Sequence, residues 1–131
     1  MMYVLDTNTL IYFFKGIGCI AENLFSVPPK DIAIPSIVLF ELEVGISKSK
    51  SPKKRRAQLK NMTDIVNIIP FGYDEARIAA DLRAKLEKKG TPIGPYDILI
   101  AGVAMSANST LVTHNTKEFG RIPKLKMVDW Y

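Results

Sequence analysis

Three acids in this chain stand where the surrounding residues call for something apolar. Asp6 follows the short apolar run Tyr3-Val4-Leu5 and precedes Thr7-Asn8 and a second apolar stretch, Leu10–Phe14. An acid where a strand turns into a helix sits where open α/β sheets collect their ligands. Asp is also a favoured N-cap, and capping alone would account for it. Glu41 lies in a segment that reads as a helix. At about 100° per residue it falls roughly 160° from Glu43, on a side shared with Ile37, Val38, Val44 and Gly45. A carboxylate in such a stripe needs a basic partner or a metal to offset its desolvation. Asp97 occupies the first turn of a helix that is otherwise hydrophobic all round, Pro95 to Met105. There the helix dipole alone could favour it.

Each acid has a bland explanation; the three together do not. Strand ends of one parallel sheet share an edge, so Asp6, Glu41 and Asp97 can converge on one pocket. Clustered carboxylates repel unless a hard cation neutralises them, and oxygen donors favour Mg²⁺ or Mn²⁺. Such an ion clamps phosphate oxygens and activates water. The chain has 18 basic residues against 13 acidic, a net charge of +5. A basic surface over an acidic pocket suits a nuclease, with the surface holding the polyanion. A fourth polar region, Thr113-His114-Asn115-Thr116-Lys117-Glu118-Phe119, leaves another strand end and offers Asn115 and Glu118. His114 is the only histidine and Cys19 the only cysteine. This disfavours a His/Cys zinc site, excludes an intrachain disulfide and suggests a reducing compartment. His114 lacks the partner pattern of a catalytic triad and reads as a loop histidine.

The elements that must position these groups follow from periodicity and breakers. Helices are expected from Thr7 to Lys15, from about Cys19 to Ser26, from Ser36 (as N-cap) to Ser47, and from Pro52 to about Met62. A long amphipathic helix starts at an Asp74 cap and ends at Gly90, with Ile78, Leu82 and Leu86 on one face. A last long helix spans Tyr96–Ser106, and Lys117–Phe119 reads as a turn. Strands are expected at Tyr3–Leu5, Ile32–Ile34, Val66–Ile69, Thr110–Thr113 and Met127–Val128. Alternating strands and helices predict one α/β domain over residues 1–131, with a mostly parallel sheet of about four to five strands flanked by helices. No signal peptide or membrane span is evident, so a cytoplasmic protein is expected.

The order of motifs resembles the PIN-domain ribonucleases, and among them the VapC toxins of type II toxin–antitoxin modules. The resemblance rests on Tyr3-Val-Leu-Asp6-Thr-Asn8, Phe40-Glu41-Leu-Glu-Val-Gly45, Gly90-Thr-Pro-Ile-Gly-Pro-Tyr-Asp97-Ile-Leu-Ile-Ala-Gly102, and Leu111-Val-Thr-His-Asn-Thr-Lys-Glu-Phe119 with Leu125 and Asp129-Trp130. It covers nearly the whole chain. It implies Asp6, Glu41 and Asp97 as ligands of Mg²⁺ or Mn²⁺, with Asn8 fixing the site by hydrogen bonds and Thr113 supporting it. It implies endonucleolytic cleavage of single-stranded RNA or loops, leaving a 5′-phosphate. One departure is visible. Many PIN domains carry Asp where this chain has Asn115, which passes the role of fourth acid to Glu118, in a second-ion or supporting position.

The segment ending at Asp97 is similar to VapC toxins that cut initiator tRNA in the anticodon loop, so tRNA is the expected substrate. The resemblance further implies a homodimer and a VapB-type antitoxin whose C-terminal segment covers the active site, in a higher hetero-oligomer. The basic segment Lys48–Lys60, with Lys53, Lys54, Arg55 and Arg56 at its centre, is either an RNA grip or a solvated helix face. Ribosomal RNA or mRNA, and a non-catalytic RNA- or partner-binding module, are the competing readings. A phosphatase with an Asp nucleophile needs a second Asp two residues after the first, and Asn8 stands there.

Overall fold

The computed structural model describes all residues, Met1–Tyr131. Strand β1 (Tyr3–Leu5) sits at the centre of a five-stranded sheet in the order β3-β2-β1-β4-β5, where β2 is Ile32–Pro35, β3 Asn67–Ile69, β4 Thr110–Val112 and β5 Met127–Val128. Every pairing is parallel, as the alternation of elements predicts. The chain leaves β1 for β2 and β3 on one side, then returns to lay β4 and β5 on the other. The carboxyl ends of β1 and β4 therefore bound the crevice where strand order reverses, the place such sheets bind ligands.

Seven helices flank the sheet: α1 (Thr7–Lys15), α2 (Ile20–Phe25), α3 (Ser36–Ser47), α4 (Pro52–Thr63), α5 (Tyr73–Lys88), α6 (Pro95–Ser106) and the single turn α7 (Thr116–Phe119). Helix α1 starts with Asp6 as its N-cap and stops at Gly16, whose φ of 68° is left-handed backbone that glycine adopts without strain. Pro52 and Pro95 open α4 and α6, where a missing N–H leaves no helical bond unmade. The apolar α6 is the most enclosed helix, with Ile98 and the run Ile100–Ala104 buried. Gly102 lets it approach α5 closely: a Cβ there would lie 2.8 Å from that of Ala79. Val4, Leu5, Ile32, Ile34, Leu111 and Val112 form the sheet's share of one continuous core, closed by Phe119 and Leu10.

Three expectations at element ends shift. The cap of α3 is Pro35, not Ser36, because β2 runs on through the proline; the Ser36 hydroxyl instead accepts from the Phe71 N–H at 3.2 Å. Helix α5 begins at Tyr73 with Gly72 as its cap, and Glu75, not Asp74, reaches back to the Gly72 N–H at 2.8 Å. Residues 117–119 form a helical turn with Thr116. The face of α3 turned to the core is Val38, Leu42 and Ile46, while Val44 and Gly45 are exposed. Glu41 is thus half-buried at the border of that face rather than inside it.

Candidate active site

The carboxyl end of β1 delivers Asp6 into the crevice, 3% exposed. Its Oδ1 accepts from the Thr9 N–H at 2.8 Å, the capping bond of α1. The Thr113 hydroxyl, at the end of β4, also bonds the Asp6 carboxylate. Thr113 is itself fixed by the Asn115 N–H, 3.0 Å from its Oγ1. Thr9 ties α1 to β4 through Val112 O at 3.1 Å. Burial nonetheless pushes the Asp6 carboxyl above its ordinary range, against these hydrogen bonds and with the Asp129 carboxylate adding to the rise.

Glu41 reaches the same crevice from α3, its Oε1 accepting from the Thr7 hydroxyl at 2.7 Å. No Lys or Arg pairs with it. The ion pairs of the chain are Arg56–Glu43, Lys60–Asp64, Arg83–Glu87 and Lys85–Asp81, His114 is hydrogen-bonded to Asp129, and none of these includes Asp6, Glu41, Asp97 or Glu118. The buried ion pair that would have explained Glu41 is absent.

Asp97 and Glu118 complete the cluster from the first turns of α6 and α7. Burial pushes the Asp97 carboxyl up to about 6, helped by the negative charges of Glu118, Asp6 and Glu41 in that order. The three other acids therefore all act on it, which places four carboxylates about one crevice. Glu118 is held ionised. The Asn115 side-chain amide donates to its Oε2 at 2.9 Å and the Gly94 N–H to its Oε1 at 2.7 Å, and together they keep its pKa below the ordinary value. Asn115 and Glu118 are thus not alternatives: the amide holds the acid.

Two positions differ from expectation. Asn8 is exposed and its side chain makes no hydrogen bond within the chain; the fixing bonds come from Thr7, Thr9 and Thr113. The cause is helical geometry, since Asn8 lies on the outer side of α1 while Thr7 and Thr9 flank it toward α3 and β4. Gly94 was not singled out for a role, yet its N–H anchors Glu118, and a Cβ there would stand 3.3 Å from Asp97 Oδ2. Its place between two prolines, immediately before an acid-bearing first turn, was the available signal.

The four predicted grip residues divide. Lys53 and Lys54 are exposed without partners on α4, Arg56 pairs with Glu43 at 3.5 Å, and Arg55 turns inward. Arg55 lines a groove of about 330 Å³ between α1, α3 and α4, with Ile11, Phe14, Gly45 and Leu59, and Glu41 also borders it.

The donor set is oxygen throughout, which suits Mg²⁺ or Mn²⁺ and not the softer preferences of zinc. As they stand, no three of these side chains are gathered closely enough to hold one ion. Unneutralised carboxylates repel, which keeps them apart. The chemistry fits a hard divalent cation: four acids, no basic partner, and a carboxyl at about 6 through burial and its acidic neighbours.

Comparison with known proteins gives concordant matches. The PIN domain pattern matches residues 3–125. Ribonuclease VapC2 of Rickettsia felis is 39% identical over 99% of this chain and 98% of its own length. The tRNA(fMet)-specific endonuclease VapC of Salmonella typhimurium is 35% identical over the same shares. In three dimensions, the chain matches one from the crystal structure of Rickettsia felis VapBC2 bound to a DNA fragment from their promoter. The TM-score is 0.93 and the identity 41%, with 100% of both chains covered.

Proposed function

The chain belongs to the PIN-domain family as one of its VapC ribonucleases, and on that premise we propose that it cuts initiator tRNA in the anticodon loop, using a divalent cation at Asp6, Glu41 and Asp97. It is the ribonuclease toxin of a VapBC-type module; the substrate, the ion and the site residues are the proposal. One observation carries the site: four carboxylates without a basic partner share the crevice where strand order reverses, and burial with their mutual charge holds Asp97 at about 6. A carboxyl held that high carries an electrostatic cost that an added cation would remove.

When bound, Mg²⁺ or Mn²⁺ supplies Lewis acidity toward the phosphodiester and toward the attacking water. The chain's own residues supply position. Thr7, Thr9 and Thr113 fix Glu41 and Asp6, so these acids lose little freedom when a substrate arrives. Glu118, kept charged by Gly94 and Asn115, adds a carboxylate beside Asp97 for a second ion or for a support reached through water. Water adds to phosphorus and the 3′ oxygen leaves, so the new end is a 5′-phosphate. The name of the Salmonella typhimurium relative supports the initiator tRNA, as does the Gly90–Asp97 segment.

The partners follow the same reading. The VapBC neighbour supports a VapB-type antitoxin, and the groove beside Glu41, apolar at Ile11, Phe14 and Leu59 with Arg55 at its wall, is a suitable seat for an apolar segment. The exposed Phe40, Val44 and Tyr96 form an apolar patch that supports the homodimer, which a sedimentation mass of two chains would bear out and of one would remove. No helix is long and apolar enough to cross a membrane, and a tRNA substrate supports action in the cytoplasm.

The test is sequencing of new 5′ ends after brief expression in cells, with purified protein assayed beside it. Ends confined to the initiator anticodon loop are expected; cuts spread over mRNA or confined to ribosomal RNA overturn the substrate. Asp6→Asn and Asp97→Asn should each reduce cleavage about a hundredfold or more and abolish growth arrest while the protein stays folded. Chelation by EDTA should stop the wild-type reaction. Undiminished cleavage by either folded variant overturns the site.

A further inference from the structure

Beside the acids lies a group of aromatic side chains that phosphodiester hydrolysis does not use. His114 and Tyr131 stack face to face, ring centroids 4.0 Å apart and planes 18° from parallel. Tyr12 meets both edge-on, at 6.1 Å and 5.2 Å. Asp129 locks the pair. Its Oδ2 lies 2.9 Å from His114 Nδ1, and its Oδ1 accepts from the Tyr131 N–H at 2.9 Å. With Nδ1–H given to a carboxylate, which can only accept, Nε2 is the ring's free nitrogen. Gly18 packs against the Tyr131 ring, where a Cβ would lie 3.1 Å from it. Both rings reach solvent, the His114 side chain 44% exposed and Tyr131 44% exposed.

Holding the C-terminus does not require this stack. Cys19 N–H binds Tyr131 O at 2.6 Å, Asn23 binds Trp130 O at 3.1 Å, and Trp130 is buried against Tyr3. The position relates the stack to the site. His114 directly follows Thr113, whose hydroxyl bonds Asp6, and the Asp129 charge is felt by Asp6. Asn8, exposed, lies one helical turn before Tyr12 on the same side of α1.

We propose that the open face of His114, backed by Tyr131 and locked by Asp129, is a shelf on which an unpaired RNA base next to the cut phosphate stacks. Loop nucleotides are recognised chiefly by stacking their splayed bases on aromatic rings. A ring held parallel to a second ring and by a carboxylate pays little ordering cost when a base arrives. This rests on the ribonuclease reading and adds to it a binding residue. His114 contributes through its flat face and not as a proton carrier.

The test uses the full chain carrying Asp97→Asn to block cutting, and a single-stranded loop oligoribonucleotide with 2-aminopurine beside the cleavage position. Binding should quench the fluorophore by stacking. His114→Ala should weaken binding about tenfold and remove the quench; Tyr131→Ala should do so to a lesser degree; His114→Phe, flat but unable to bond Asp129, should restore most of both. In the cutting-competent chain His114→Ala should raise KM about tenfold with kcat little changed, the pattern of a group that binds ground and transition states alike. A melting curve like the parent's certifies each variant. Unchanged affinity and quench in folded His114→Ala, with RNA still cut, overturns the shelf and leaves the ribonuclease reading standing. A loss of kcat that His114→Phe does not rescue also overturns it, in favour of proton transfer. Absence of any RNA binding or cutting by the wild-type chain overturns both.

Discussion

On the proposed reading Asp6 carries two duties with one carboxylate. Its Oδ1 caps α1 through Thr9, and its burial and raised pKa mark it as a group the fold does not neutralise. The cap fixes the carboxylate's direction, so the structural duty prepares the chemical one. Asp97 gives the measurable form of this argument. Its folded pKa is about 6 against an ordinary 3.8. Below about pH 4 the group is protonated folded and unfolded alike. Between there and pH 6 the folded chain keeps a proton that the unfolded chain has lost, so stability falls as pH rises, and above 6 the full cost is present. Glu75 and Glu118 are shifted the other way and contribute stability with rising pH, so the wild-type curve alone mixes signs. The difference between Asp97→Asn and wild type isolates the term. In EDTA at pH 7.5 the variant should melt several degrees higher, and the gap should shrink toward zero near pH 4. Mn²⁺ should raise the melting temperature of the wild type and not of the variant. A gap independent of pH removes the electrostatic explanation.

At the scale of elements, what the sequence disclosed depended on whether the information was local. All five strands and the long helices were legible because apolar runs and breakers mark them. Two helix starts shifted for different reasons: Ser36 turned to a tertiary partner, Phe71, whereas the Gly72 N–H donates to Glu75 in a local capping pattern. Angular reasoning on α3 separated Glu41 from Glu43 but set the core face wrongly, since which side of an apolar helix meets the sheet is fixed by its neighbours. Asp6, Glu41 and Asp97 were visible as charges out of place, the Asp6 cap as a local pattern and Thr113 as a support through the family resemblance; the Thr7 hydroxyl that bonds Glu41 was not, because a Thr beside an acid in space carries no signal along the chain. The α5–α6 contact is of the same kind. Gly102 is buried where a Cβ would lie 2.8 Å from the Ala79 side chain and 3.1 Å from its backbone, so neither helix can yield locally. Gly102→Ala should therefore destabilise the protein by about 1–3 kcal/mol, despite alanine's better helix propensity. It should also lower cleavage, because α6 carries Asp97 at its first turn. Chemical denaturation and the cleavage assay check the two effects. A variant as stable as the parent would show that the crossing has slack.

The molecule as a whole joins a +5 charge to a pocket of four acids, and the two must stay apart to be of use. The fold achieves this by placing α4 outside α3, so that the basic helix lies across a groove from Glu41 instead of within it. Had a lysine reached the crevice, it would have neutralised an acid and competed with the proposed cation. The division within α4 predicts which charges meet RNA. Arg56 already has Glu43, an exposed pair of little strength but enough to lower its free charge, and Arg55 faces the groove. Lys53 and Lys54 are unpaired. For single-stranded RNA each phosphate contact contributes about −0.7 to the slope of log affinity against log salt. Lys53→Ser with Lys54→Ser should therefore weaken RNA binding at low salt and flatten the slope by up to about 1.4. Arg56→Ser alone should change it by less than one contact's worth. Titrations of the Asp97→Asn chain with a loop oligoribonucleotide across a range of KCl measure both. Slopes that coincide for the parent and the double variant would make the outer face of α4 a solvated surface and shift the search for the RNA track to the β4–β5 side, where His114 stands.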